Sequence, residues 1–450
     1  MSTEPPVPPT AARTSSRTAG REAGKVAFAS FVGTAVEWYD FFLYGASAAL
    51  VFGALFFPTD NALVSQLAAL GTFTVGFVAR PLGGIVAGHF GDRIGRKRML
   101  VLSLMLMGVA TVGVGLLPTY AAVGVAAPAL LVLLRVGQGL AVGAEWGGAA
   151  LMAVEHAPPN KRALYGSAPQ LGVPAGAILA NLVLLTVVQA TGDAFMTWGW
   201  RIPFLLSVVL VVIGMFVRRR VTESPLFTEA AAAHPEPAQR RNPLVTVVRE
   251  HPWAAVRGMF ASVASTSWGY VILVFILSYG PTSVGYSRNT MLTLIILSSL
   301  LQVGAMLYAG RVADRIGRRK VALIGSGLQV IVAVAFFPAF DSGTVWLALT
   351  VCLIASVGLS AQYGPLPALL SEQFPTEVRY TGVSVSYMFG NILGGGLVPL
   401  VGTALVAATG TSFSVGLYML GLSLVTAVAV LATRETVDDD LSAVASSSRP

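Results

Sequence analysis

The sequence has 450 residues, 55% of them apolar and only 11% charged, with a formal net charge of +8. Ordinary soluble domains carry about 25% charged residues, so this composition excludes a water-soluble globular fold. The +8 does not mark a nucleic-acid partner, because the charges sit in short blocks separated by apolar stretches. Those stretches reach the roughly 20 residues that a helix needs to cross a hydrocarbon core, and their periodicity does not fit alternating barrel strands. The 48 Gly and 25 Pro suit closely packed or broken spanning helices. Cys352 is the single cysteine, so no disulfide framework exists, and His89, His156, His234 and His251 are scattered without metal-ligand spacing. No metal and no cofactor is expected.

Residues 1–24 are a Pro/Ser/Thr/Arg tail, read as disordered, and the first apolar run, near 26–56, is long enough to stay as an anchor. Spans follow near 62–90, 99–117, 122–153, 163–189 and 200–217, which makes 25–220 an N-terminal six-helix bundle. A polar linker, 221–252, comes next. Further spans near 253–280, 290–310, 320–340, 344–370, 380–408 and 412–433 make 253–434 a second bundle, and 435–450 is a short tail. The expected fold is an all-α membrane protein with twelve transmembrane helices in two six-helix bundles. Of the 29 Lys and Arg, Arg80 and Arg135 lie inside spans, and Arg201 and Arg288 flank the loops of one side. The rest lie in the tails, in the loops after even-numbered spans or at their edges. Positive residues resist translocation, so that side is read as cytoplasmic, with both termini inside.

The loop after span two contains Gly88, Asp92, Arg93, Gly95 and Arg96. The loop after span eight repeats the pattern with Gly310, Asp314, Arg315, Gly317 and Arg318. A second pair agrees: Glu155 and Arg162 after span four, Glu372 and Arg379 after span ten, each seven residues apart. Two repeats at nearly equal offsets indicate a six-plus-six duplication with a site between the halves. An aspartate one turn after a close-packing glycine is able to face the positive N-terminus of a neighbouring helix. The bland reading, a basic loop that only enforces topology, does not explain matched order in two copies.

The Gly88-x3-Asp92-Arg93-x-Gly95-Arg96-Lys97 loop resembles the signature of the major facilitator superfamily, and Arg135-Val136-Gly137-Gln138-Gly139 is similar to its span-four motif. More narrowly, Val36-Glu37-Trp38-Tyr39-Asp40-Phe41-Phe42, Arg80-Pro81-Leu82-Gly83-Gly84, Gly143-Ala144-Glu145-Trp146-Gly147-Gly148 and Trp200-Arg201-Ile202-Pro203-Phe204 resemble the metabolite:proton symporter family. So does Glu223-Ser224-Pro225-Leu226-Phe227 after span six. The stretch 76–156 looks most like the shikimate-type branch. The resemblance implies alternating access by rocking of two halves and uptake of an organic acid or zwitterion with a proton. It also implies that the Asp92 loop ties the halves together while the site faces outward, and that Arg135 influences proton transfer. A bacterial inner-membrane location and a monomer in contact with lipid complete the expectation.

Five ionisable residues fall inside spans: Glu37, Asp40, Arg80, Arg135 and Glu145. Each costs roughly 2.5–3.5 kcal/mol at a helix centre, so they must face one another, a wet cavity or the helix ends. Glu37 and Asp40, three apart, share a helix face and are proton-coupling candidates, with permanent pairing to an arginine as the alternative. Arg135, Gln138 and Glu145 project within about 80° of one another on an ideal helix. Arg135 and Glu145 join the proton-coupling candidates and Gln138 the substrate-binding ones, and an internal salt bridge is the competing reading. Arg80 precedes Pro81, which frees a backbone carbonyl. Its guanidinium would hold a substrate carboxylate in two parallel bonds or pair with a span-one acid. Trp268, Tyr363, Tyr387 and Asn391 are candidate cavity residues from the second half.

No phosphate-binding loop, His-Glu-x2-His pair or nucleophile elbow occurs, so ATP-driven transport and common hydrolytic chemistry lack their residues. Within transport, proton-coupled efflux and osmolyte uptake are the alternatives. Span five reads Gly172-Val173-Pro174-Ala175-Gly176, without the Gly-Pro-x2-Gly-Gly of many exporters in the superfamily.

Overall fold

The computed structural model describes residues 9–94, 96–143, 145–219, 243–375 and 378–437, with side chains from Ala23 onward except at 85, 87–100, 159, 217–219 and 243. Among the described residues, ten helices are long and apolar enough to cross a membrane, and two shorter apolar helices stand with them. In chain order the first six are α1 Ala23–Phe56, α2 Ala62–Gly84, α3 Val101–Leu116, α4 Ala126–Glu155, α5 Arg162–Phe195 and α6 Arg201–Phe216. The second six are α7 Pro252–Val284, α8 Arg288–Ile316, α9 Arg318–Phe340, α10 Val345–Ser371, α11 Arg379–Thr409 and α12 Phe413–Leu431. Spanning helices satisfy every backbone group internally, which is what an apolar solvent demands. Pro81, Pro169, Pro174 and Pro338 are all carried inside helices.

Two expectations at the ends of the bundles need correction. Helical backbone begins at Pro9 and runs unbroken into α1, so the tail read as disordered is helical from that point. Ala11, Ala12, Ala19 and the arginines among them are good helix formers. The stretch read as a linker ends in a further helix, Pro243–Glu250, whose Val247 is fully buried.

Among the described residues, three spans contain π segments. α1 contains a π segment at Ala48–Phe52, α7 two at Val271–Phe275 and Gly280–Val284, and α11 one at Ile392–Gly396. The α1 segment and the first α7 segment begin 223 residues apart (271 − 48), close to the 222 (310 − 88) that separates the repeated glycines. A π turn widens the helix and re-aims the side chains around it, and these lie where α1, α7 and α11 meet the seam.

Candidate functional site

The halves approach closely because glycines line the crossings. A Cβ at Gly147 would collide with the Ser384 hydroxyl of the other half, and within the first half one at Gly143 would collide with the Arg80 carbonyl. Two small cavities lie at the seam, of about 10 and 20 Å³. Trp38 and Tyr387 belong to the walls of both.

The smaller cavity is the charged one, with Glu37 and Arg80 from the first half and Asn391 from the second. Arg80 is 2% exposed. Its guanidinium carbon lies 4.2 Å from the Phe77 ring centroid, 4.5 Å from Phe41 and 5.5 Å from Trp38. A desolvated cation–π contact contributes about 2 kcal/mol, so these rings offset most of the roughly 2.5–3.5 kcal/mol of inserting an arginine. The rings cannot satisfy N–H donors. Nε and Nη2, which share one edge of the guanidinium plane, have no hydrogen-bond partner, and neither amide atom of Asn391 has one. That edge is the one that takes a carboxylate through two parallel bonds. The Tyr270 hydroxyl, likewise without a hydrogen bond of ordinary geometry, faces Arg80 from the opposite half.

Behind this cavity a polar chain runs through the first half. Arg135 is fully buried among Tyr44, Phe41 and Phe73, its guanidinium carbon 4.2, 4.3 and 5.0 Å from their centroids. Its Nη1 donates to Gln138 Oε1 at 2.9 Å, Gln138 Nε2 donates to Thr111 Oγ1 at 2.8 Å, and the Thr111 hydroxyl donates to the Met107 carbonyl at 3.0 Å. Asp40 faces Thr111 and lies near Glu37. It is 0% exposed, and neither of its carboxyl oxygens has a hydrogen bond of ordinary geometry.

The larger cavity has no charged residue in its wall. Phe42, Tyr270 and Tyr363 supply rings, and Ser265, Thr266 and Gln302 supply hydroxyls and an amide. Beside it a ring of contacts ties the halves together. The Trp146 and Tyr387 rings stack at 3.5 Å between centroids and 8° between planes. Trp146 Nε1 donates to Gln170 Oε1 at 3.1 Å, and Gln170 Nε2 donates to the Tyr363 carbonyl at 3.3 Å. The Tyr363 and Tyr387 hydroxyls, 2.6 Å apart, close the circuit.

At the end of the bundle that carries the repeated loops, called the basic end, ion pairs also cross the seam. Asp314 accepts from the Ala163 and Leu164 amides at 2.9 Å each, which sets a carboxylate on the N-terminus of α5. Arg318 Nη2 lies 3.3 Å from both Asp314 and Glu372, Arg162 lies 4.0 Å from Glu372, and Arg379 lies 3.7 Å from Glu155. Burial pushes the Glu372 carboxyl above its ordinary range, against Arg318, Thr436 and Arg162, which favour the ionised form. Gly317 turns the chain from α8 to α9 with φ +112°, and a Cβ there would strike the Glu435 carboxylate. Glu435 itself accepts from the Arg318 and Arg319 amides at 2.9 and 3.1 Å.

The structure brings Glu37, Arg80, Tyr387 and Asn391 to one cavity and Tyr363 to its neighbour, and sets Asp40 and Arg135 on the polar chain behind them. Two expected cavity residues lie elsewhere. Both ends of the Gln138 amide are taken by Arg135 and Thr111, and the Trp268 indole donates to Ser423 at 3.2 Å and packs edge-on to Phe336 inside the second half. Glu145 is buried in α4. Of the loop residues, Gly310, Asp314, Gly317, Arg318, Glu155, Arg162, Glu372 and Arg379 meet at the basic end, and Arg315 is exposed. Gly95 and the side chains of Asp92, Arg93 and Arg96 lie outside the described residues, as does the environment of Gly88. Thr111, Gln170 and Trp146 were missed as site residues. Trp146 stood inside a quoted motif, and nothing in the sequence sets the other two apart.

A duplicated helical bundle with a charged cavity buried at the seam defines a transporter of small solutes and not an enzyme. The Major Facilitator Superfamily matches residues 30–399, and the chain belongs to this superfamily, within its metabolite:proton symporter family. It is 44% identical over 419 residues to the inner membrane metabolite transport protein YhjE of Escherichia coli (strain K12), covering 92% of this chain and 94% of the relative. It is 38% identical over 415 residues to the shikimate transporter of the same organism, with the same coverages of 92% and 94%. Among solved structures it shares its fold with the proton:xylose symporter XylE bound to 6-bromo-6-deoxy-D-glucose, at a TM-score of 0.73 and 18% identity, covering 93% of this chain and 97% of that one.

Proposed function

We propose that the protein is a proton-coupled symporter that takes up a small organic acid or zwitterion, shikimate or a related carboxylate, by alternating access. The observation that carries this reading is the unpartnered Nε/Nη2 edge of Arg80 at the wall of a cavity between the halves. A buried guanidinium edge without acceptors is costly, about 1–3 kcal/mol per group, and a bound carboxylate removes that cost. Asp40 is the proton carrier. A fully buried carboxyl with no counter-ion and only the Thr111 hydroxyl facing it is held far more easily with its proton than without, and the chain from Thr111 to Arg135 links its state to the span-four motif. Glu37 and Glu145 are secondary members of this set.

The basic end faces the cytoplasm of a bacterial inner membrane, with both termini on that side, because its loops hold most of the Lys and Arg. The crossings at Asp314, Glu372 and Arg379 hold that end shut while the cavities await solute from outside. Uptake of labelled shikimate into proteoliposomes under an imposed gradient, alkaline inside, tests the reading. Accumulation that collapses with the gradient supports it. Uptake indifferent to the gradient, or solute leaving in exchange for entering protons, overturns it.

A further inference from the structure

We infer that Thr111 is the positioning residue for proton exchange at Asp40: its hydroxyl accepts a hydrogen bond from the protonated carboxyl and turns to donate one to the carboxylate. The inference rests on the reading of Asp40 as the proton carrier and names the group that makes its proton exchangeable.

The direction of every bond in the polar chain is forced from its far end. A guanidinium has donors only, so Arg135, whose Nη1 lies 2.9 Å from Gln138 Oε1, fixes the carbonyl of that side chain towards itself and the amide nitrogen away. The nitrogen donates to Thr111 Oγ1 at 2.8 Å, where the hydroxyl must accept. One proton and one lone pair are then left on the Thr111 oxygen. Two groups compete for them: the Met107 carbonyl one turn back along α3, at 3.0 Å, and the Asp40 carboxyl facing it from α1. While the hydroxyl donates to Met107, the lone pair is what it offers Asp40, and this suits a carboxyl that carries its proton. When Asp40 is ionised, the hydroxyl proton swings from the carbonyl to the carboxylate. The Met107 carbonyl keeps its main-chain bond inside α3, so the swing orphans no polar group.

Asp40 is 0% exposed, and an ionised group in that position needs a donor. Glu37, near it on the same helix, is an acid like itself. α5 and α6 meet the neighbouring turn of α1 with Gly172, Gly176 and Gly214, which have no side chain to offer. The ionised state therefore rests on Thr111. A carboxyl with a partner for one state alone would stay in that state, whereas this hydroxyl serves both. In the exchange the Asp40 O–H bond breaks and water takes the proton; Thr111 only turns, and neither gains nor loses one.

Accumulation of labelled shikimate under an imposed gradient, alkaline inside, and counterflow between equal pools separate this role from a structural one. Accumulation by the full-length protein in proteoliposomes needs Asp40 to release its proton in every cycle, and counterflow does not. Thr111→Val, which keeps the shape and removes the hydroxyl, should slow accumulation by about tenfold, the gap between a bond to a charged group and one to a neutral group. Counterflow should stay within about twofold of wild type. Thr111→Ser, which returns the hydroxyl, should restore most of the accumulation. Thr111→Ala should show the same split if the valine variant does not reach the membrane. Wild-type accumulation without the hydroxyl, an equal loss of both activities, or a serine variant no better than valine would overturn the inference. Asp40→Asn separates the two levels. If it abolishes accumulation while Thr111→Val leaves it intact, only the role of Thr111 fails. If Asp40→Asn still accumulates shikimate, or the wild type does not, the reading of Asp40 fails as well.

Discussion

The two halves of the bundle share a topology and a loop motif but divide the chemistry. All five ionisable residues first picked out within spans, Glu37, Asp40, Arg80, Arg135 and Glu145, belong to the first half, and each is buried. Among the described residues, the second half brings no charge to the cavities; its polar and aromatic lining is Tyr270, Tyr363, Tyr387, Ser265, Thr266, Gln302 and Asn391. At the basic end both halves contribute ions, as Glu155 and Arg162 meet Arg379 and Glu372. Duplication has therefore kept the ion pairs of the basic end in both halves and let the interior diverge. On the function proposed above, charge and proton handling rest on one side, and recognition by shape and hydrogen bonding on the other.

The largest effect should come from removing the proton carrier. Asp40→Asn should reduce gradient-driven accumulation to the equilibrium level while solute exchange between two equal pools continues, measured as counterflow. Loss of both activities together would assign Asp40 to folding or binding and blur the division of labour. Next, Arg80→Lys keeps the charge but not the two-bond edge. Uptake at low solute concentration should fall by about 10–100-fold, equivalent to about 1.5–3 kcal/mol for bonds to a charged group, with protein levels unchanged.

A smaller effect is expected at the ring of contacts that crosses the seam. Trp146→Ala removes the stack on Tyr387, worth about 0.5–1.5 kcal/mol, and should raise the fraction open at the basic end by about two- to tenfold. Distances between spin labels on the two halves would report it. The smallest effect concerns Glu372. Its carboxyl is raised in the closed form relative to water, so closure is favoured below the ordinary glutamate value of about 4.3 and loses that contribution as pH rises through the raised one. The closed fraction should therefore decline over that window in the wild type and decline less in Glu372→Gln.

The sequence disclosed much of the frame for a physical reason. Apolar runs of membrane-crossing length and loops dense in arginine are strong signals, and a charge within such a run carries a cost that singles it out, so Asp40, Arg80 and Arg135 stood out without coordinates. Uncharged polar residues carry no such signal. Thr111 and Gln170 cost little inside a helix, and only the fold shows that they bridge Arg135 to Asp40 and Trp146 to Tyr363. Gln138 and Trp268 failed as cavity residues because helix periodicity gives a face but not the neighbour that the face meets. The helix that reaches back to Pro9 was hidden by prolines and serines that made the segment read as a tail.

The division between the halves is tested most directly by proton movement itself. In weakly buffered proteoliposomes without an imposed gradient, adding shikimate outside should turn the external medium alkaline as protons enter with the solute. Asp40→Asn should abolish that signal while still exchanging shikimate. Equal alkalinisation in the variant, or none in a wild type that transports shikimate, would contradict the account.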